Sequence, residues 1–418
     1  MRLIRLHPLP EAKQDCPRCH RLLEILGWHI PGMRNLAVLS CSVCEAEFYG
    51  DLSAGQALCT PMLIEKEGGI VYDKYGVEWF ADWLRDSYAN RTEVPVPFEV
   101  QERLPITRQV VLLNCLDTLY GHSLLKLLNA QFYLERDVDL ILLVPAFLAW
   151  MIPEGAAQVW IVGLPLTRGT EWNDWLAHEI HRRVEALEDV SLSLALSHPS
   201  PKDYSIERFT GVKPFPLEQW EARLDRPTVT FIWRDDRTWQ VRDDTPTGAV
   251  RKKLRSSIGR PSDLLVEQRR LVVELAEALR SELPTLNFAI AGLSKGKDDH
   301  LPTWIEDLRT SNMNDDGERF CCERYASSHV VIGLHGSNML LPSAHSGSVV
   351  ELIGPGRWGN FLQDILIHES DNCRDTLFRY RFLPDSSPPQ TVVQLVTSIL
   401  KGQPAFSRLM NVGYSSLA

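Results

Sequence analysis

The stretch from His329 to Gly354, HVVIGLHGSNMLLPSAHSGSVVELIG, constrains the fold more than any other part of the chain. Apolar Val330, Val331, Ile332 and Leu334 spell a buried strand that runs straight into His335-Gly336-Ser337-Asn338. A short helix over 338–345, a Gly347-Ser348 turn and a second apolar strand, Val349 to Ile353, follow. Strand, tight turn, helix and strand form one unit of a parallel α/β sheet, where ligands sit beyond the carboxyl ends of the strands. That end offers an imidazole, a glycine that lets a ligand approach the backbone, and Ser/Asn at a helix N-terminus. Backbone N–H groups and the helix dipole there suit a phosphate or pyrophosphate. An HGS turn is short, so the same residues also read as an ordinary turn whose His and Ser cap the helix.

The rest of the chain repeats this alternation. Strands at 109–114, 140–144, 157–162 and 190–196 interleave with helical patterns at 124–133 and 172–187. Strands at 228–233 and 287–293 flank an amphipathic helix over 262–283, and further helices are expected at 319–327, 358–368 and 392–401. Alternating elements predict doubly wound parallel sheets. The expected fold is α/β with two Rossmann-like domains: a small N-terminal module (1–60), a linker and helical segment (61–104), a first α/β domain (105–225), a second (226–385) and a C-terminal helix and tail (386–418). At 418 residues more than one domain is expected. In the linker segment, Trp79, Phe80 and Trp83 read as a packing stripe on one helix face.

Two further strand ends carry chemistry. Asp117 and His122 follow the first strand of the first domain, where an acceptor or general base belongs; the alternative is that Asp117 caps the helix and His122 packs on it. Arg234 and Arg237 follow the first strand of the second domain, and guanidinium groups match phosphate geometry, although a solvated hairpin would look the same. The basic loop Arg251-Lys252-Lys253-Leu254-Arg255 reads as solvated or as flanking an anion.

Cys16-Pro17-Arg18-Cys19 and Cys41-Ser42-Val43-Cys44 are two CxxC knuckles with 21 residues between them. Four thiolates on two tight turns can close a tetrahedral zinc site with no open position, hence a structural Zn2+. A redox pair or four free thiols are the alternatives, and no thioredoxin-like βαβ pattern surrounds either pair. His20, His29 and Cys59 read as bystanders. Nine cysteines with four so arrayed suit a reducing cytoplasm. The formal net charge of -10 argues against non-specific nucleic-acid binding. No transmembrane segment is expected: the longest apolar run, Leu140 to Ile152, contains Pro145 and is too short to span a bilayer, and the N-terminus lacks a signal-peptide h-region.

Residues 330–340 followed by 347–353 resemble the corresponding segment of glycosyltransferase family 61, and two α/β halves with an HG turn late in the second resemble the GT-B architecture. The resemblance implies an inverting transfer from a nucleotide-sugar donor to an acceptor hydroxyl on a glycan or protein. It implies that His335, Gly336, Ser337 and Asn338 hold the donor pyrophosphate and nearby ribose, with Glu351 near the nucleotide and Arg234 on the phosphates. The two halves would face one another across a cleft, with Asp117, His122 and His335 as the catalytic candidates. Family members are best known in eukaryotic secretory compartments, so a chain of this kind implies a bacterial, cytoplasmic relative. No Asp-x-Asp stands where a Mg2+-dependent transferase would want one, so no catalytic metal is expected. A non-catalytic binding or adaptor protein is the alternative; a phosphoryl or sulfuryl transferase is a third reading, though no GxxxxGK[ST] loop is present.

Overall fold

The computed structural model describes residues 2–241, 261–295, 301–367 and 373–415, so the basic loop at 251–255 lies outside the described residues. Two units divide between Ser205 and Ile206. Among the described residues no helix is long and apolar enough to cross a membrane.

The N-terminal unit opens with strand β1 (Leu3–His7), and then builds a small antiparallel sheet in the order β2 (Glu24–His29), β3 (Leu36–Ser40), β4 (Glu47–Asp51), β5 (Leu63–Glu65) and β6 (Val71–Tyr72). Its second sheet runs β1, β11 (Val190–Ser193), β8 (Val110–Asn114), β9 (Asp139–Pro145), β10 (Gln158–Val162), β7 (Phe98–Glu102). The inner four strands are parallel, and β1 and β7 close the edges antiparallel. The chain therefore distributes residues 1–104 differently from the expected module and linker. Burial explains why: Ile4 and Leu6 alternate inward, so β1 belongs to the larger sheet, and Val96 is buried where a linker was expected. One core joins Leu39 and Phe48 of the small sheet, and Cys16 before it, to Leu112 and Ile141 of the large sheet and Ile180 of the helix Asp174–Val184. Helix Glu78–Ala89 buries Phe80, Leu84 and Tyr88, whereas Trp79 points outward, so the aromatic stripe is rotated from the expected face.

The C-terminal unit begins with short helical turns from Ile206 to Arg223, a stretch expected to close the first α/β domain; Phe215 and Trp220 belong to the core of the C-terminal unit instead. A wholly parallel sheet follows, ordered β14 (Glu306–Thr310), β13 (Asn287–Leu293), β12 (Thr228–Trp233), β15 (Val330–Leu334), β16 (Ser348–Ile353), β17 (Tyr380–Pro384). In chain order this is the doubly wound 3-2-1-4-5-6 arrangement, whose direction reverses between β12 and β15. Alternation explains the layers: Val229, Phe231, Val330 and Ile332 join Val272, Leu275, Leu279, Val392 and Val396 of the paired helices Pro261–Glu282 and Pro389–Ser415 in one core. Thr230 faces the other way and meets Ser328 at 2.8 Å. The segment expected as a helix at 358–368 is instead an irregular 3-10 stretch, Pro355–Asp364, broken at Asn360.

Candidate functional site

The four knuckle cysteines come together in the N-terminal unit, with Sγ atoms of Cys16 and Cys44 3.5 Å apart and those of Cys19 and Cys41 3.4 Å apart. All four lie within 4.8 Å of one another. A tetrahedral Zn–S bond of about 2.3 Å places sulfurs about 3.8 Å apart, so the set fits zinc. The two knuckles are built alike: His20 N–H donates to the Cys16 carbonyl and Glu45 N–H to the Cys41 carbonyl, while the residue after each second cysteine takes a left-handed φ of 59° or 56°. Backbone N–H groups of Cys44 and Val43 hold the Cys41 thiol down to about 6. Cys19, hydrogen-bonded to Cys41, is pushed up to about 12 and Cys44 is pushed up by burial, so that without a cation one sulfur carries the charge of the set.

The large sheet of the same unit reverses direction between β8 and β11. Asp117 and His122 stand at this switch point, with His198 after β11 placing its ring 6.0 Å from that of His122. Asp117 is buried and ion-paired to Lys126 at 2.8 Å, and His122 Nδ1 lies 3.5 Å from it. Burial alone would raise the Asp117 carboxyl, but the Lys126 ammonium and then His122 outweigh it and hold the group well below the usual carboxylate range. Gln56 Nε2 donates to His122 Nδ1 at 2.7 Å, which leaves the imidazole proton on Nε2. Asp117 also accepts the Leu119 N–H at 3.2 Å, ahead of the helix Tyr120–Leu128, which has no side-chain cap, so Asp117 shapes the turn into the helix and does not cap it.

The second switch point gathers most of the residues singled out in the sequence. Arg234 and Arg237 leave β12, and His335, Gly336, Ser337 and Asn338 leave β15 beside them. Arg237 Nη1 donates to the His335 carbonyl at 2.6 Å; Arg234 Nη1 donates to Asn338 Oδ1 at 2.7 Å and weakly to the same carbonyl at 3.4 Å. Gly336 adopts φ 142°, and a Cβ there would sit 2.6 Å from Arg234 Nη1 and 2.8 Å from Arg237 Nη1. Only glycine admits both guanidinium groups. Asn338 Nδ2 is buried and has no hydrogen-bond partner among the described residues. Ser337 opens the 3-10 turn Ser337–Met339.

Beneath the turn lies a buried network. His335 Nδ1 donates to Glu351 Oε1 at 2.8 Å and lies 3.2 Å from Asp364 Oδ2. Tyr380 O–H donates to Glu351 Oε2 at 2.7 Å, and Gly336 N–H donates to Asp364 Oδ2 at 2.7 Å. Burial pushes Glu351 up to about 7; burial and then the neighbouring Glu351 charge push Asp364 up to about 7. Burial lowers the His335 imidazole, against the pull of Asp364. One proton shared between the carboxyls satisfies the network.

Two expectations change here. The Gly336 amide, expected to receive a phosphate, is already engaged by Asp364, and the helix behind the turn, Leu340–His345, is too short for much of a dipole. Anion-holding chemistry therefore falls to the arginines. Glu351, expected near the nucleotide, has no exposed surface and meets the turn from beneath, through His335 and Asp364. Nδ1 of His335 and the carboxylates of Glu351 and Asp364 lie within 4.8 Å of one another, close enough to hold a metal ion, although Arg237 and Arg357 bring positive charge to the same imidazole.

The arginines are crowded. Burial first, then the charges of Arg234 and Arg357, lowers the Arg237 guanidinium. Asp236 takes a bidentate pair from Arg234 at 2.7 and 2.6 Å, while Arg234 Nη1 and Arg237 Nη1 both remain on the turn. Arg357, Asp364, Tyr380 and Lys126 were missed in the sequence. Lys126 alone carried a signal, as the one charge in the apolar run Leu124 to Leu128. Asp364 and Tyr380 lie in a stretch with no periodicity to place them.

No family model and no curated protein matches the sequence. Among solved structures, E. coli ADP-heptose lps heptosyltransferase II matches with a TM-score of 0.37 and 13% identity, covering 71% of this chain and 100% of that one. The reading that follows rests on the chain's own site rather than on this likeness.

Proposed function

We propose that the chain is an inverting, metal-independent glycosyltransferase of the family 61 type. It takes a nucleotide-sugar donor at the second switch point and passes the sugar to an acceptor hydroxyl. The observation that carries this reading is the convergence of Arg234 and Arg237 on the His335 turn, where their Nη1 atoms meet the His335 carbonyl and Asn338 and the charge of Arg357 bears on the Arg237 guanidinium. In the transfer, the acceptor oxygen bonds to the anomeric carbon as the bond from that carbon to the diphosphate breaks. The arginines neutralise the departing nucleoside diphosphate. Asn338 Nδ2 supplies a donor for a phosphate or ribose oxygen, with Ser337 beside it.

The acceptor proton needs a base, and His122 with Asp117 is the pair we assign, with His335 kept in place at the donor. For His122 to accept at Nε2, its proton must move to Nδ1, which requires the Gln56 amide to turn its oxygen to that atom; Gln56 Oε1 is buried without a partner among the described residues. The cysteine set would hold a structural zinc, and the protein would work in the cytoplasm.

The test is a thermal-shift screen against UDP-, GDP-, CMP- and dTDP-sugars. Ligand at about 100 Kd stabilises the native state by about 2.7 kcal/mol. One nucleotide class should raise the melting temperature, and Arg237→Ala should remove most of the shift while the protein stays folded. If none acts at millimolar concentration, the chain is a binding or adaptor protein, with the cysteine module as its docking element.

A further inference from the structure

The stretch Pro355–Asp364, which follows β16, delivers three groups to the arginine site. Asp364 binds the Gly336 amide, the charge of Arg357 acts on both His335 and Arg237, and Asn360 stands beside the His335 imidazole. Between Arg357 and Asn360 stands Trp358, whose side chain is 50% exposed. Exposure alone does not set it apart, since Trp79 is 52% exposed; what does is its place next to Arg357, on the stretch that also supplies Asp364 to the Gly336 amide.

The indole is held from behind. Its ring meets Phe361 edge-on, centroids 6.0 Å apart at 61°; Phe361 meets Phe382 of β17 at 5.3 Å, and Phe382 meets Tyr380 at 5.1 Å. Tyr380 is the residue whose hydroxyl fixes Glu351, so the rings tie Trp358 to the network that fixes His335. The front is open: a Cβ on Gly356 or Gly359, to either side of Arg357 and Trp358, would meet nothing within 4 Å.

We propose that Trp358 is the nucleobase platform of this site, stacking the base of a nucleoside diphosphate whose phosphates lie on Arg234, Arg237 and Arg357. The inference rests on the diphosphate reading above and extends it. Converging guanidinium groups select an anion, and an exposed indole beside them selects a planar ring; a nucleoside diphosphate joins the two chemistries in one molecule, whereas a free sugar lacks the charge and pyrophosphate lacks the ring. Every base has a π face, so stacking supplies affinity with little choice among bases.

Calorimetric titration of the full chain with inorganic pyrophosphate and with ADP, GDP, UDP and CDP tests this. At least one nucleoside diphosphate should bind about ten-fold or more tightly than pyrophosphate. Trp358→Ala should erase that difference while leaving pyrophosphate binding and the melting temperature unchanged, and Trp358→Phe should keep most of it. Unchanged nucleoside diphosphate affinity in Trp358→Ala overturns the platform, and so does an equal loss for pyrophosphate. If neither pyrophosphate nor any nucleotide binds the native protein, the arginine site itself is not a diphosphate site and the platform falls with it.

Discussion

Both units place a carboxylate and a histidine at the switch point of a parallel sheet, yet they solve the burial of charge in opposite ways. In the N-terminal unit Lys126 sits 2.8 Å from Asp117, and the carboxyl is held well below its usual range. In the C-terminal unit Glu351 and Asp364 are buried against His335 and Tyr380, with no ammonium between them among the described residues, and both are driven up to about 7. The cations of that unit stand one layer out, around the turn, where they repel one another. The first site is internally neutralised. The second separates buried acid from outer base, only part of which Asp236 neutralises, and in the function proposed above an anionic ligand completes the balance. Topology alone marks both places as ligand sites; electrostatics distinguishes them.

The widest gap between the units should follow removal of zinc. Structural zinc contributes on the order of 10 kcal/mol in small modules, so a strong chelator should melt the N-terminal unit and leave nucleotide binding at Arg234 and Arg237 intact. Differential scanning calorimetry with and without chelator reads this as loss of one transition; loss of both would merge the two regions. Next in size, Lys126→Ala leaves Asp117 charged and buried, and should destabilise by about 3–5 kcal/mol in urea unfolding. An effect below about 1 kcal/mol would contradict the neutralised-pair account.

Acidity sharpens the contrast further. Glu351 and Asp364 have native values raised above their unfolded ones, so their contribution is complete below about pH 4 and is lost as pH rises towards 7. Unfolding free energy of the C-terminal transition should therefore fall by roughly 2–4 kcal/mol between pH 5 and 8. His335, lowered by burial, works against that slope, because its contribution is lost as pH drops below the ordinary histidine range. Asp117 is depressed, so its contribution is present above about pH 4 and disappears below. A C-terminal transition that strengthens from pH 5 to 8 would overturn the shared-proton network. Smallest of all, Glu351→Gln keeps a neutral hydrogen-bonding group beneath His335 and should cost no more than about 1 kcal/mol at pH 7 while flattening that pH profile.

Much of this frame was legible before any coordinates. Runs such as Val330 to Leu334 and Val349 to Ile353 have no other home than a sheet buried on both faces, and the CxxC spacing announced the sulfur cluster. Arg234 and His335 could be singled out because each directly follows an apolar strand. What could not be read depends on chain reversal. Asp364 meets His335 from 29 residues on in an irregular turn, and Tyr380 reaches Glu351 from β17, a short strand whose burial is only partial. The engagement of the Gly336 amide by an internal carboxylate, which turned an expected phosphate cradle into an arginine site, was invisible for the same reason.

The central claim is that the C-terminal switch point is an anion site whose cations repel one another until a ligand neutralises them. Arg237→Ala, titrated with nucleoside diphosphate and melted without it, tests this most directly. A charge-assisted hydrogen bond is worth about 1.5–3 kcal/mol, so affinity should fall about 10- to 100-fold. Ligand-free stability should stay within about 1 kcal/mol of the parent, because the lost bond to the His335 carbonyl is offset by relief of repulsion from Arg234 and Arg357. Unchanged affinity, or a ligand-free loss of about 3–5 kcal/mol as for a broken buried pair, would make Arg237 a structural residue and contradict the account.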